Sequence, residues 1–504
     1  MIQVRASIFS LIEPSRRTPA RELWSEIARD VEEEFKDVYL YREEWRYRIV
    51  VRNGPSISPD KSVVRYRTIE AGIRRQANKP TLLDLSVGNL FCNAASDPTE
   101  RLHVVSDPRY AVWARHAGQV PLAEHVHLVE QFIEHVMDAG WMLEKPEIMP
   151  FQVDPPGIRY GRGERLLPTK GFGQLARFPI VDVSPKTAFV VVDSRNSVAR
   201  RAASSLEQAF SRCFPGSLVK GASVSYSDRM AVSDVNLFVL DDRDDLNENR
   251  GLRDTLRQAE ADGYRFKLAK ASSLSKPYPM QNIAYDLFQI AGGRPWEPVS
   301  SQPAFCSLDA GHSVELRKSR WVKVESDRQQ RILNVRAVLT PLAEHVPSSC
   351  IDELWPSQKG AIICRDGRLS QERGSMEKRA TAEQRPLIEV KKSPKAILWR
   401  IEGDEIRPAE FGDAVRDDHG DALLQTVPQD VRDYIHPVRL SGSGNRVVET
   451  ATAFLHQHAM PGLSLFHMSR LPGTLYFADL ISKMTADGWP KAIGRGFQLE
   501  AIVP

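Results

Sequence analysis

Two aspartates in the second half of the chain stand where their carboxylates could act together. Asp309 follows the apolar run AFCSL, and Asp366 follows the apolar run AIICR. If these runs form neighbouring parallel strands, their carboxyl ends meet at one edge of a sheet. Carboxylate oxygens at such an edge suit Mg²⁺ or Mn²⁺, and an aspartate ending an apolar strand is costly to bury without a partner. The pair predicts a metal centre; the alternative is that Asp366 only begins an Asp-Gly turn.

The segments upstream of these aspartates alternate between strands and helices. Strands are predicted at 187–193, 235–241 and 264–269, and each precedes a helix, at about 197–213, 252–261 and 280–290. This βαβ rhythm is typical of a doubly wound parallel sheet. We therefore expect a Rossmann-like domain here.

From Pro303 onward the order of elements changes. The strands AFCSLD, SVELRKS, RWVKVES and RILNVRAVLT follow one another, and a short helix near 349–354 and a strand at 360–366 come next. Antiparallel strands followed by a helix and a returning parallel strand are the order of a ribonuclease H-like fold. The strands LIEVKKS and AILWRIEG and helices near 447–458 and 476–487 are expected to complete this domain.

The sequence pattern of the first part of the chain indicates its structure more clearly than its function. Residues 1–153 contain a predicted helix at 18–36, an aromatic and basic strand-like run at 39–52 and a second helix at 123–139. The stretch 154–186 is rich in proline, glycine and basic residues, which marks a domain boundary near residue 154. The predicted fold class is therefore α/β, with two successive α/β domains after an α+β N-terminal region.

Composition excludes several functional classes. The chain has 504 residues, of which 42% are hydrophobic and 26% charged, and its net charge is only +3. Binding of nucleic acid would therefore depend on local patches rather than bulk charge. The five cysteines lack the paired spacing of a zinc site or a disulfide framework. With no apolar run of spanning length, a cytoplasmic location is expected.

Five segments, taken in order, resemble the Argonaute family. The segment QNIAYDLFQIAGGRPWEP is similar to the joint between the MID and PIWI domains, and it precedes FCSLDAGHS, ICRDGRL, LIEVKKSPKAILWR and RLPGTLYFADLISKM. The resemblance implies a MID-like domain at 154–300 that binds the 5′ end of a guide strand and a PIWI domain at 301–504. The resemblance assigns no domain type to residues 1–153, and their length implies a compact prokaryotic member of the family without the PAZ domain.

The resemblance also adds candidate metal ligands. Asp479 in YFADLI falls where the family places a further ligand, and Glu344 matches a mobile glutamate, with Glu353 as the alternative. Together with Asp309 and Asp366, these residues imply a site for two Mg²⁺ or Mn²⁺ ions about 4 Å apart that hydrolyses a phosphodiester. The alternative is a vestigial site, in which Asp479 is an ordinary residue of a helix surface.

A pocket for the 5′-phosphorylated end of the guide is implied in the MID-like region. The groups expected there are an aromatic ring for stacking, cations and polar groups for phosphate, and a buried C-terminus. The candidates are Tyr264, Lys267, Lys270, Lys276, Gln281 and Pro504. Ile290 departs from the family, which places a lysine just before the paired glycines, and Arg294 is a substitute. The alternative is that these lysines form a solvated face of a strand and turn.

Three functions remain open at this level. The first is a guide-dependent endonuclease acting in prokaryotic defence, and the second is an inactive member that binds guide and target, as RNA or DNA, and activates an effector protein. The third, a ribonuclease H-like nuclease without a guide, is disfavoured by the MID-like region. The histidines and glutamates at 125–135 do not have the spacing of a zinc protease and are interpreted as helix surface.

Overall fold

The chain folds into two compact units. Unit 1 comprises Met1–Val153 and Lys391–Ala451, and unit 2 comprises Asp154–Val390 and Thr452–Pro504. The structure is a computed structural model that describes residues 2–13, 18–43, 46–94, 101–102, 104, 107–168, 177–193, 196–244, 248–343, 345–367, 375–427, 436–442, 446–460, 470–471, 473–484 and 500–503. Among these, every helix is too short or too polar to cross a bilayer.

The described residues contain ten α-helices. In chain order they are α1 (Ala20–Glu34), α2 (Ala111–Gly118), α3 (Leu122–Asp138), α4 (Asn196–Cys213), α5 (Arg250–Ala261), α6 (Pro277–Ile290), α7 (Ile351–Leu354), α8 (Ser375–Ala382), α9 (Val447–His456) and α10 (Gly473–Ser482).

The strands are numbered in the same way. They are β1 (Ile2–Ala6), β2 (Ile8–Leu11), β3 (Val38–Glu43), β4 (Arg46–Ile57), β5 (Val63–Arg74), β6 (Thr81–Asn93), β7 (Leu143–Glu144), β8 (Met149–Gln152), β9 (Gly157–Tyr160), β10 (Gly163–Leu166), β11 (Phe189–Val192), β12 (Val224–Ser227), β13 (Val235–Leu240), β14 (Arg265–Lys270), β15 (Glu297–Pro298), β16 (Phe305–Ser313), β17 (Lys318–Ser326), β18 (Ile332–Pro341), β19 (Ile362–Asp366), β20 (Leu387–Lys391), β21 (Leu398–Glu402), β22 (Glu405–Pro408), β23 (Asp413–Arg416), β24 (Ala422–Leu424), β25 (Val438–Ser441) and β26 (Glu500–Val503).

Unit 1 is built on an antiparallel sheet in the order β3-β4-β5-β6-β2-β7. Apolar residues of α1 recur every three or four positions, so that Trp24, Ile27 and Val31 are buried along one stripe. This stripe and α3 pack against the strand residues Ile49 and Ile69. An antiparallel sheet with helices on one face confirms the α+β class predicted for the N-terminal region.

Unit 1 also contains a strand that the sequence analysis placed in the C-terminal domain. β21, from AILWRIEG, pairs antiparallel with β1, with Ile2 opposite Glu402. The expectation that this strand completes the ribonuclease H-like domain is wrong. Its apolar pattern is that of any half-buried strand and does not identify its partner, which is a choice made by tertiary structure.

A parallel sheet in the order β12-β11-β13-β14 forms the first half of unit 2. α4 and α6 bury Phe210, Phe214 and Phe288 in its core together with Phe189 of β11. The predicted Rossmann-like alternation is therefore confirmed. Strand β12 was not predicted, because VSYS is short and half polar and has little of the apolar pattern that marks a buried strand.

The second sheet of unit 2 contains the strands predicted for the ribonuclease H-like domain. β16, β17 and β18 are antiparallel, β19 is parallel to β16, and β20 is parallel to β19. The fold class is thus the one predicted. SVELRKS is not a separate strand, however, because residues 314–317 turn the chain from β16 into β17, with Arg317 at a φ of 49°.

Candidate functional site

Strand register brings Asp309 and Asp366 to neighbouring positions. In the parallel pair β16 and β19, Leu308 lies opposite Arg365, so the two aspartates occupy the next position on each strand. Side chains at equivalent positions of neighbouring strands point to the same face of a sheet. Asp309 does not end its strand, as the sequence suggested, because β16 continues to Ser313 beside β17.

Helix α10 carries Asp479 to the same face. Its apolar residues Phe477, Ala478 and Ile481 pack against Val322 and Val324 of β17 in one buried cluster. This packing holds the helix against the strands that position the aspartates.

Two close contacts seat α10 on strand β16. Near the start of the helix, the Thr474 hydroxyl lies 2.6 Å from that of Ser307. At its end, the backbone passes so close to Gly311 that a Cβ there would lie 1.8 Å from the carbonyl oxygen of Ser482. A glycine at this position is therefore a requirement of the site.

The three aspartates form one cluster of oxygen ligands. One carboxylate oxygen from each of Asp309, Asp366 and Asp479 lies within 4.8 Å of the others. Asp309 is only 7% exposed and accepts the backbone N–H of Ala310 at 2.8 Å. Ser482 Oγ lies 3.3 Å from Asp309 Oδ2 and 3.1 Å from the carbonyl oxygen of Asp479. The packing thus fixes the carboxylates together in spite of their mutual repulsion.

The donor set suits a hard divalent cation. Carboxylate oxygens are the ligands that Mg²⁺ and Mn²⁺ prefer, and concentrated negative charge is stabilised when a cation binds. Burial, reinforced by the charges of Asp366 and Asp309, raises the pKa of the Cys364 thiol well above its usual value. Lys483 forms an ion pair with Asp479 at 3.1 Å on the exposed side.

The fourth acidic ligand stays a prediction. Glu344 lies outside the described residues. Its alternative, Glu353, lies on α7 and forms an ion pair with Arg336 at 3.0 Å. Glu353 is therefore held by a cation of strand β18, and it is not a member of the acidic cluster found among the described residues.

Two residues expected in the guide pocket have structural contacts instead. Lys267 is 13% exposed and forms an ion pair with Asp286 of α6. The ring of Tyr264 is partly buried against the cluster that contains Leu256 and Phe266. An inward-facing strand residue with its charge already paired is a weaker ligand for an external phosphate than an unpaired one, and the role of Lys267 in guide binding stays a prediction.

The other expected residues lie where β14 ends and α6 begins. Lys270 ends β14 and its Nζ donates to the backbone oxygen of Asp242 at 3.2 Å. Lys276 immediately precedes α6 and is exposed, and Gln281 lies in the second turn. Tyr278, which the sequence analysis does not single out, lies in the first turn of this helix and is 72% exposed. The available signal was an aromatic residue between two prolines at a helix start.

Other predicted positions either lie elsewhere or are not described. Pro504 lies outside the described residues. Ile290 ends α6, and the backbone of Arg294 pairs with Val181.

The histidine-rich helix α3 has contacts typical of a packed helix rather than of a metal site. Nε2 of His125 accepts the backbone N–H of Val87 at 2.7 Å, and the ring of His135 stacks on Phe35 at 3.8 Å. Burial, followed by His436 and Arg67, lowers the pKa of His125 to about 3. The neutral ring of His125 therefore serves as a buried hydrogen-bond acceptor.

Comparison of structures finds similar proteins, whereas comparison of the whole sequence does not. No protein-family model matches the chain, and neither does any curated protein sequence. The Clostridium butyricum Argonaute bound to a guide DNA and a 19-mer target DNA matches with a TM-score of 0.67 at 11% identity, covering 94% of this chain and 86% of that one. The Marinitoga piezophila Argonaute in complex with 5′ OH guide RNA and target DNA matches with a TM-score of 0.65 at 10% identity, covering 92% and 85%.

A eukaryotic structure shows the same likeness. Drosophila Piwi matches with a TM-score of 0.62 at 11% identity, and the match covers 98% of this chain and 90% of that one. The matches extend over both units, and identities this low establish shared architecture alone. Together with the Rossmann-like and ribonuclease H-like sheets described above, they show that this chain has the Argonaute fold.

Proposed function

We propose that the protein is a prokaryotic Argonaute that binds a single-stranded guide, pairs it with a complementary target and cleaves the target strand with Mg²⁺ or Mn²⁺. The observation that carries this proposal is the cluster of Asp309, Asp366 and Asp479, whose ligand atoms lie within 4.8 Å of one another. Solved structures of the same fold contain guide and target strands. We further propose that the MID-like domain at 154–300 and the PIWI domain at 301–504 divide guide binding and cleavage between them.

In the proposed site the three aspartates hold the metal and their neighbours hold the aspartates. Bound divalent cations supply Lewis-acid polarisation of the phosphodiester and activate water for attack. The backbone N–H of Ala310 and the hydroxyl of Ser482 orient the Asp309 carboxylate. Glu344 is proposed as the mobile fourth ligand.

The guide is proposed to bind where β14 meets α6. Tyr278 replaces Tyr264 as the ring on which a base stacks, because its face is open to solvent while Tyr264 is partly buried. Stacking on an aromatic ring contributes about 1–3 kcal/mol per base. Lys270, Lys276 and Gln281 supply polar contacts to the strand, and Pro504 is proposed to lie near them.

The test is cleavage of a labelled target by guide-loaded protein in Mg²⁺ or Mn²⁺. Cutting at a single position is expected. Asp309→Ala and Asp366→Ala should abolish it while guide and target affinities stay within about twofold, because the loss lies in rate and not in binding. Asp352→Ala is the matched control, since this carboxylate is 92% exposed and pairs with Arg379.

The same assay separates the two remaining functions. Glu344→Ala should slow cutting if that residue is the mobile ligand, whereas Glu353→Ala should not. If wild-type protein binds guide and target but leaves the target intact in both metals, the endonuclease function is wrong. The chain would then be a binding protein that signals the paired duplex to an effector partner.

A further inference from the structure

Strand β5 of unit 1 carries two buried arginines on one face of its sheet. Arg65 and Arg67 are two residues apart, so their side chains share that face. Arg65 is 8% exposed and Arg67 is 5% exposed. A buried guanidinium has lost its water, and it needs an anion or other hydrogen-bond acceptors in place of that water. The two arginines differ in whether the chain supplies them.

The chain supplies a full set of acceptors to Arg67. Its Nε and Nη2 donate to the two carboxylate oxygens of Glu124 at 2.6 and 2.9 Å. Nη1 donates to Asn89 Oδ1 at 2.6 Å, and Nη2 also donates to the carbonyl oxygen of Gln119 at 2.8 Å. Arg67 therefore acts as a structural residue that ties β5 to β6 and to α3.

Arg65 receives no comparable set. Among the residues that the structure describes, none accepts a hydrogen bond from its enclosed Nε and Nη1. Burial, followed by the charge of Arg67, lowers the pKa of Arg65 to about 10, and Glu124 opposes this shift only in part. The guanidinium is still charged at neutral pH. A buried cation without a counter-ion costs the folded chain stability, and exceptions of this kind are expected at functional sites.

Helix α2 packs beside Arg65 on the same face of the sheet. Phe91 of β6 lies directly opposite Arg65, and Val63 is the preceding residue of β5 on this face. Both pack with Ala114 of α2 in one buried cluster, and the ring of Trp113 meets that of Phe91 edge-on at 5.7 Å. These side chains are apolar and offer a cation no opposite charge. An anion that reaches Arg65 would supply what they lack.

We propose that Arg65 binds a backbone phosphate of nucleic acid, which gives unit 1 a phosphate site of its own. The inference rests on the proposed function and adds a contact outside the acidic cluster and the guide pocket. Unlike Nε and Nη1, Nη2 is not enclosed, so a phosphate oxygen has access to the guanidinium there. A polyanion suits the surroundings, because α2 contains no acidic residue and exposes Arg115 and His116 in its last turn.

The first measurement is thermal unfolding of the full-length protein. Arg65→Met removes an uncompensated charge and keeps an apolar stem, so the melting temperature should stay the same or rise. Arg67→Met is the matched comparison, and it should lower the melting temperature because Glu124 and Asn89 lose their donors. A structural role for Arg65 would instead make both variants less stable.

The second measurement is binding of a preformed guide–target DNA duplex at several salt concentrations. Arg65→Met should weaken binding by about tenfold and lower the slope of log affinity against log salt by about one. Arg65→Lys keeps a cation and should retain the slope. Arg407→Met is the matched control in unit 1, because that exposed arginine already pairs with Glu402 and Glu405.

Inorganic phosphate at constant ionic strength is the third probe. Without divalent metal, it should raise the melting temperature of wild-type protein more than that of Arg65→Met. If this difference appears while duplex binding is unaffected by Arg65→Met, the assignment to nucleic acid is wrong and the site takes a free anion.

The remaining outcomes separate this inference from the proposed function. If wild-type protein binds the duplex and Arg65→Met binds it with the same affinity and salt slope, the phosphate site is wrong and the proposed function is unaffected. If Arg65→Met is destabilised as much as Arg67→Met, Arg65 is a structural residue and the inference fails. Absence of duplex binding by wild-type protein would contradict the proposed function itself.

Discussion

Gly311 determines how closely α10 approaches the strand that carries Asp309, and Gly311→Ala tests that contact. The added Cβ would lie 1.8 Å from the carbonyl oxygen of Ser482 and 2.6 Å from its carbonyl carbon, where ordinary contacts are 3.4–4 Å. Both partners are backbone atoms, so no side chain can rotate away. The end of α10 must withdraw by about 1.5 Å, taking Ser482 with it and displacing Asp479.

Gly311→Ala is expected to affect the free energy of unfolding less than the rate of cleavage. Forcing an extra carbon into a packed contact costs about 1–3 kcal/mol of the free energy of unfolding. Misplacing a ligand by about 1 Å costs on the order of 100-fold in rate. Gly311→Ala should therefore lower the melting temperature modestly, weaken Mn²⁺ binding to the protein and reduce target cleavage by about 100-fold, with guide affinity retained.

Thermal unfolding, Mn²⁺ titration calorimetry and single-turnover cleavage measure these three quantities. The matched control is Gly251→Ala in α5, because a Cβ added there would meet no heavy atom outside its immediate neighbours closer than an Asn249 oxygen at 4.0 Å. Cleavage and Mn²⁺ affinity equal to wild type in folded Gly311→Ala would refute the argument that this contact positions Asp479.

Three further predictions follow from individual contacts. Trp296→Phe should cost about 1–3 kcal/mol of unfolding free energy in denaturant titration, because the buried indole Nε1 donates to the carbonyl of Ala459 at 3.0 Å and that oxygen would lose its donor. Asp84 in unit 1 is buried with Arg439 and Arg74; burial raises its pKa, but the two guanidinium groups outweigh burial and hold the pKa below its usual value. The stabilisation by ionised Asp84 is therefore present above the unfolded pKa of about 3.9 and is lost as pH falls through the folded value. Asp84→Asn should cost about 3–5 kcal/mol of unfolding free energy at neutral pH. It should also make stability depend less on pH in the acid range, which unfolding followed by circular dichroism at several pH values would measure. Lys483→Ala should tighten Mn²⁺ binding by no more than about fivefold in calorimetry, because the ion pair with Asp479 is half-exposed and such pairs contribute less than about 1 kcal/mol; unchanged or weaker binding would contradict a competing role for this lysine.

Sequence pattern was sufficient where structure depends on local periodicity. The strands around Phe189, Val235 and Phe266 and the helices between them were predicted in the right order, because burial on both faces of a parallel sheet requires continuous apolar runs. Asp309 and Asp366 were predicted to adjoin for the same reason, since parallel neighbours end at one edge. Their register in β16 and β19 confirms that adjacency.

The remaining features depend on contacts between distant segments. The partner of β21 is β1, which lies in the other of the two sequence segments that form unit 1, and no local pattern encodes such a pairing. Lys267 looked available in sequence, yet tertiary packing places Asp286 beside it and neutralises it.

The difference between what local pattern predicts and what tertiary contacts decide also holds within the acidic cluster. The sequence by itself determined the two aspartates on adjacent strands, whose side chains share a face through the two-residue period of β-structure. Only the tertiary structure decided that Asp479 joins them, because that depends on how the apolar face of α10 packs on Val322 and Val324 and on the absence of a Cβ at Gly311. Helix periodicity specifies which residues are buried, and packing against a particular surface specifies where the polar residues beside them come to lie.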